Sequence, residues 1–305
     1  MVRYMIAAGA LKLFSANSQT KKLYRYMGNT VGAKRRATAG LPQVYIDRAQ
    51  EIISQARKHN AIKSGDRLLE LGTGWLHWES TILRLFYDVE VHLFDVWDNR
   101  QFPAFQQYFR EFSSVVDRSI PMTNGEKERV HGLLYTLLKA TAFEEVYELL
   151  GHKYVVNSTG TLENFPDNYF DLIFSCSVLE HVEKKIIPAF MKGCYRVLKP
   201  NGRAIHLVDL GDHLTLYDNT MPYNKNYLRY SDTVWRLFFQ NDVQYFNRIQ
   251  RSDWLKYFAD AGFQVVEERA EPIDLNGVKI SHSFAAFDRN DLACLTLKVV
   301  YTKRN

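Results

Sequence analysis

The chain has 305 residues, 46% of them hydrophobic, with a formal net charge of +5 and 24% charged residues, so it can bury a full core and is neither a disordered nor a collagen-like polymer. Its three cysteines, Cys176, Cys194 and Cys294, are too far apart for a CxxC zinc site or a disulfide framework, which points to a reducing, cytoplasmic setting. No stretch reaches the roughly 20 uncharged apolar residues of a membrane span.

Taken in chain order, residues 1–42 read as a basic helical N-terminal extension. Arg3, Lys12, Lys21, Lys22, Arg25, Lys34, Arg35 and Arg36 all precede the first carboxylate, Asp47. Interleaved with Met5, Ile6, Leu11, Leu13, Phe14, Leu23, Tyr24 and Tyr26, they suit two alternatives: a segment lying on an anionic membrane surface, peripheral on its inner face, or helices packed on the domain. Such a composition also fits a mitochondrial transit peptide. The remainder carries no matching basic stripe, which argues against nucleic acid as a partner.

Residues 43–305 read as one domain. Val44, Ile46, Ala49, Ile52, Ile53 and Ala56 have helical spacing over 43–60, and Ser64-Gly65-Asp66 makes a turn. Short apolar runs follow at 68–71, 89–94, 154–156, 170–174 and 204–210, separated by helical stretches, and two later runs lie at 263–267 and 294–301. Buried strands alternating with helices make a parallel sheet, so the expectation is an α/β, Rossmann-like, doubly wound, seven-stranded sheet with an antiparallel last strand. Helical insertions at about 97–151 and 212–252 are long for simple connections and are expected to cover a site.

The first strand runs into Glu70-Leu71-Gly72-Thr73-Gly74-Trp75, a turn where missing side chains let backbone amides approach a ligand. The third glycine of a dinucleotide fingerprint is replaced by His77, which argues against NAD. Asp95 ends the second run at the interval expected of a ribose-binding acid, with Asp98 in reserve and helix capping as the plain alternative for either. Beyond the fifth run comes His206-Leu207-Val208-Asp209-Leu210-Gly211-Asp212-His213, at the carboxyl end where open α/β sheets place ligands.

Glu70-Leu71-Gly72-Thr73-Gly74 resembles motif I of the class I S-adenosylmethionine (SAM)-dependent methyltransferases. Phe165-Pro166-Asp167-Asn168-Tyr169-Phe170-Asp171-Leu172-Ile173, then Ser177-Val178-Leu179-Glu180-His181-Val182, and Leu198-Lys199-Pro200-Asn201-Gly202-Arg203 resemble the later motifs of the ubiquinone-biosynthesis-like (type 11) group, in order and spacing over roughly 67–210. The resemblance implies SAM as cofactor, with Glu70, Gly72, Thr73, Gly74 and Trp75 shaping its pocket, Asp95 binding ribose, and Ser175, Cys176 and Ser177 beneath the methionine moiety. Asn157-Ser158-Thr159 departs from the group's usual acid after the third strand, so Trp75 or Thr161-Leu162 stands in beside adenine.

Methyl transfer from a sulfonium needs alignment and removal of the acceptor's proton. His213, beside the aspartates Asp209 and Asp212 that could orient it, is the first candidate base and His181 the second, the alternatives being an exposed loop histidine and a structural residue at a helix start. Asp209, Asp212 and His213 also offer ligand types for a metal, as an alternative to a catalytic role. The second insertion mixes aromatics (Tyr217, Tyr223, Tyr227, Trp235, Phe246) with arginines, either as a lid over the acceptor or, for most of the rings, as the core of a small helical subdomain; Arg229 and Tyr230 are the candidate acceptor-binding pair. The expected reaction is methylation of an oxygen on a small or medium acceptor, a sugar or lipid-linked glycan. A non-catalytic SAM-binding scaffold, or N- or C-methylation of an aromatic or quinone-like molecule, is the alternative.

Overall fold

The computed structural model describes residues 2–218, 220 and 224–304. Helices α1 (Val2–Phe14), α2 (Ser18–Met27), α3 (Ala33–Ala39) and α4 (Gln43–Lys58) precede the first strand. The strands are β1 (Arg67–Leu71), β2 (Glu90–Asp95), β3 (His152–Val156), β4 (Phe170–Cys176), β5 (Leu198–Asp209), β6 (Gln264–Pro272) and β7 (Cys294–Thr302). Between them lie α5 (Trp78–Phe86), α6 (Phe102–Ser119), α7 (Asn124–Leu137), α8 (Phe143–Leu150), α9 (Ile187–Val197), α10 (Asp232–Phe238), α11 (Arg251–Asp260) and α12 (Arg289–Ala293).

The strands form one seven-stranded sheet in the order β3-β2-β1-β4-β5-β7-β6. β1 pairs in parallel with both β2 and β4, and β2 with β3. β7 runs against β5: Asn201 N–H donates to the Lys303 carbonyl and Leu210 N–H to that of Leu295, both at 2.7 Å. This is the expected Rossmann-like sheet with an antiparallel last strand. Its order reverses between β1 and β4, the switch point outside which such sheets open a crevice. Central strands are mostly apolar because both their faces are covered: Leu68, Leu69 and Leu71 in β1 and Leu172, Ile173 and Phe174 in β4 are buried, with Glu70 a buried acid among them.

The chain divides into two compact units. The larger comprises residues 28–175, 193–205 and 302–305, the smaller 1–27, 176–192 and 206–301. Read from the sequence, the basic extension is one piece; in the structure its first 27 residues group with the smaller unit and the rest with the larger.

In the larger unit, the insertion after β2 folds into α6, α7 and α8. Phe105, Phe109 and Phe112 line the buried face of α6, and Trp78 at the start of α5 sits 4.6 Å from the Phe109 ring and 5.3 Å from that of Phe112. Thr123 and Glu126 close a reciprocal capping box at the start of α7, satisfying backbone donors that would otherwise be orphaned. Gly151, with φ 67°, ends α8 in the left-handed region.

In the smaller unit, Tyr4, Ala8 and Leu11 recur at helical spacing on the buried face of α1 and join a core containing Tyr227, Leu228, Trp235, Phe239, Phe246 and Phe284. The Tyr4 ring lies 5.6 Å from Phe239, its hydroxyl donates to Asp212 Oδ2 at 2.7 Å, and its backbone N–H donates to Asp218 Oδ2 at 3.2 Å. No helix among the described residues is long and apolar enough to cross a membrane.

Candidate functional site

In the larger unit, the chain leaves β1 through Gly72 and Gly74, both left-handed with φ 66° and 62°. L side chains rarely adopt this conformation, and an added Cβ at Gly74 meets only a backbone oxygen at 3.9 Å, so the turn is open to approach. Gly72 and Thr73 donate their N–H groups to the Phe94 carbonyl at 2.8 and 3.2 Å. Gly74 donates to Asp95 Oδ2 at 2.9 Å, while Asp95 Oδ1 accepts from Val96 at 2.7 Å and more distantly from Trp97. The glycine turn and the acid ending β2 therefore form one constellation. Burial pushes the Asp95 carboxyl above its ordinary range despite these three backbone donors. Three of a carboxylate's roughly four acceptor positions are used, leaving capacity for a hydroxyl.

Beneath the turn runs a buried relay. Ser80 and Thr73 hydroxyls donate to Glu70 Oε2 at 2.6 and 2.7 Å, Thr73 Oγ1 lies 2.7 Å from His77 Nδ1, and His77 Nε2 lies 2.8 Å from the Tyr147 hydroxyl. With Thr73 donating to Glu70, His77 donates from Nδ1 and accepts at Nε2 from Tyr147. Desolvation pushes His77 down to about 3, so its ring is neutral. Desolvation and the neighbouring Glu79 carboxylate push Glu70 well above its usual range. His77 occupies a left-handed position, φ 47°, at the start of α5. Sequence reasoning saw it only as a missing glycine; nothing local reveals its partner Tyr147, seventy residues on.

Trp75 is half open, with the guanidinium of Arg36 stacked 3.7 Å from its ring centroid. Gln101 Oε1 accepts from Arg36 Nε at 2.7 Å and orients that stack. Asp98, the reserve acid, pairs with Arg100 at 2.8 Å. Thr161 is tied to Asn157 by the amide of that residue, and Leu162 is buried. Ser175 is buried near the end of β4.

In the smaller unit, Cys176 is half-buried and Ser177 takes a left-handed φ of 54°, its N–H donating to the Leu207 carbonyl at 2.9 Å. The chain then turns through a short 3-10 segment, Leu179–His181. The His181 and His213 rings lie 4.9 Å apart, with Phe246 5.0 Å from His213. His181 Nδ1 is 2.7 Å from the Tyr245 carbonyl, an acceptor only, so Nδ1 carries the proton and Nε2 the lone pair. His181 is exposed to solvent, yet desolvation by surrounding groups and the adjacent His213 push it down to about 4.

His213 Nε2 stands 3.4 Å from Asp209 Oδ2, four residues back. Burial raises the Asp209 pKa, but hydrogen bonds from His213 and the Gly211 N–H outweigh it and hold the carboxyl below its ordinary value. Asp212, the other aspartate expected to orient His213, faces elsewhere: Oδ2 accepts from Tyr4 and Oδ1 caps the Leu214 N–H at 3.0 Å. Burial pushes Asp212 up to about 6. Asp209, Asp212 and His213 are therefore not a ready ligand set. Among the described residues, the side chains whose ligand atoms cluster are Glu180, His181 and His213, all within 4.8 Å of one another.

Arg229 is exposed, 3.5 Å from Asn226 Oδ1, and Tyr230 packs against Phe239 at 4.4 Å, so the ring belongs largely to the aromatic core. Tyr223 lies outside the described residues.

Residues 45–268 match the family model described as a methyltransferase domain. No curated protein matches the chain in sequence. Among solved structures, similarity extends to a phosphoethanolamine N-methyltransferase 2 of Haemonchus contortus in complex with S-adenosyl-L-methionine (14% identity, TM-score 0.44, covering 84% of this chain and 52% of that one). A putative sarcosine dimethylglycine methyltransferase of Galdieria sulphuraria is also similar (13%, 0.47, 85% and 86%), as is a putative methyltransferase of Bacillus halodurans (15%, 0.44, 83% and 98%). The chain spans about half the length of the Haemonchus contortus protein.

Proposed function

Since the chain belongs to the methyltransferase-domain family, we propose that it uses SAM to methylate an oxygen of a small or medium acceptor, a sugar or lipid-linked glycan, with His213 as the base. SAM supplies a sulfonium methyl, an electrophile whose leaving group departs neutral. The residues around the β1 turn suit that cofactor. Gly72 and Gly74 carry no side chain to obstruct its amino-acid end, their own N–H groups being donated to Phe94 and Asp95, and Asp95 has an acceptor position left for a ribose hydroxyl.

One observation carries the oxygen reading: His213 Nε2 sits 3.4 Å from the Asp209 carboxylate, beside the neutral imidazole of His181. A hydroxyl attacking a methyl group must shed its proton, and an imidazole held by a carboxylate is placed to take it and to stabilise the resulting imidazolium. With Nε2 facing Asp209, Nδ1 is the atom that accepts. His181, its Nδ1 pinned to Tyr245, offers Nε2 as an acceptor to a second hydroxyl of the acceptor molecule, since the attacking one has a single proton and gives it to His213.

The test is release of S-adenosylhomocysteine across a panel of sugars, phenols and amines, with SAM affinity measured separately. The reading predicts turnover with hydroxyl acceptors that falls about a hundredfold in His213→Ala while SAM binding is retained. Turnover confined to amines, or a fully active His213→Ala, overturns it; SAM binding without turnover on any acceptor favours a scaffold.

A further inference from the structure

The N-terminal helix is apolar on two sides. Tyr4, Ala8 and Leu11 face the core of the smaller unit, whereas Val2, Met5, Ile6 and Leu13 project on the opposite side of α1 and stay open to solvent, Val2 and Leu13 at 73% and Ile6 at 66%. Helices apolar all round are normally buried or membrane-associated, because a solvated surface helix keeps its outer face polar.

Elements packed against α1 carry exposed apolar side chains of their own. The helix meets the 3-10 segment His213–Tyr217, whose Leu216 is 81% exposed, and α10, whose Leu237 and Phe238 are also exposed. Isolated exposed leucines need no explanation; apolar residues concentrated on adjoining elements do. Around them the charge has one sign within the first two helices: Arg3 and Lys22 are exposed, and no carboxylate occurs before Asp47.

We propose that the outward face of α1, extended by Leu216, Leu237 and Phe238, is a docking surface for an anionic lipid bilayer. A helix of 13 residues is about 20 Å long, too short to span, so it lies in the interfacial plane with its apolar side at the acyl boundary and its bases among the headgroups. Packing on the domain and lying on a membrane surface are then both satisfied, by opposite faces of one element. Anionic lipid is the occupant that fits, because the exposed leucines and isoleucine need an apolar medium and Arg3 and Lys22 need counter-charge. This surface is independent of which acceptor is methylated.

The experiment is co-sedimentation of the full chain with vesicles of phosphatidylcholine alone and of phosphatidylcholine with about one-third phosphatidylglycerol. Two variants accompany it, Ile6→Asp/Leu13→Asp and Arg3→Glu/Lys22→Glu. Wild type should partition onto the anionic vesicles at least about tenfold better than onto neutral ones, and each variant should lose roughly tenfold of that preference. SAM affinity and melting temperature should be unchanged in both. If the aspartate variant does not fold, the charge reversal at exposed positions decides the matter alone. Wild type that stays in the supernatant, or variants that sediment equally, overturn the proposal. So does a lipid-free dimer that the same variants convert to monomer, since the face would then be covered by a second copy. Loss of SAM binding by wild type would instead strike at the cofactor reading, leaving the vesicle result intact.

Discussion

Asp95 accepts the backbone N–H of Gly74 across 2.9 Å, so the acid ending β2 is held by the same glycine turn that leaves β1. Replacing the carboxylate therefore removes two things together, an acceptor for ribose and a brace for the turn. Hydrogen bonds to charged groups are worth about 1.5–3 kcal/mol, so Asp95→Ala should weaken SAM about tenfold to a hundredfold. Titration calorimetry with SAM and its demethylated product reads this directly, and unaltered affinity would remove Asp95 from the pocket.

The partner of His213 is separable by mutation. Asp209→Asn should lower turnover tenfold or more while leaving SAM affinity alone, because a neutral amide no longer stabilises the imidazolium. Asp212→Asn should act mainly on stability, since its carboxylate is spent on Tyr4 and Leu214. Kinetics and urea unfolding on both variants decide it: equal loss of turnover with no loss of stability in Asp212→Asn would return the orienting role to that residue.

Tyr4→Phe deletes one hydroxyl and strands a buried carboxylate. Leaving a buried acceptor short of its donor costs about 1–3 kcal/mol, and the variant should unfold at correspondingly lower urea. Asp212 should then titrate above its present value of about 6, because the donor that lowers it has gone. An unchanged urea midpoint would mean that α1 contributes little to the smaller unit's stability.

Three buried histidines set an acid limit. His77, His152 and His206 are each pushed down to about 3, chiefly by desolvation, whereas an unfolded chain binds those protons near 6.5. Below pH 6.5 the unfolded state holds protons the native state lacks, so stability falls as pH drops toward 3, by about 1.4 kcal/mol per pH unit for each group. Glu70 and Asp212, shifted upward, take up protons first in the native state and offset part of the loss. Melting temperature should decline between pH 6.5 and 4.5, less steeply in His152→Phe; a flat profile would contradict the burial of these rings.

Much of the sheet is legible in the sequence, for a physical reason that also marks its boundary. β1 and β4 are buried on both faces, so they read as short, mainly apolar runs in spite of Glu70 and Asp171; β6 is an edge strand with Val265 and Val266 exposed, and its run extends past the segment the pattern suggests. The glycine turn and Asp95 are legible because both lie where strands end. The orientation of Asp212 is not. Strand alternation stops at Asp209, and beyond it the chain turns so that His213 reaches back four residues while Asp212 caps the next turn and meets Tyr4, a partner 208 positions away. Likewise nothing near His77 announces Tyr147, and nothing near Trp75 announces Arg36.

The tie between Tyr4 and Asp212 also sets an order of events during synthesis. Residues 2–14 emerge from the ribosome long before 206–301, which supply the rest of their core, so α1 must wait with both apolar sides uncovered while about two hundred residues are added. Closing so wide a loop is slow, and the nascent segment is open to chaperones, or to a nearby bilayer, throughout that interval. Assembly of the smaller unit should accordingly be the late step in folding.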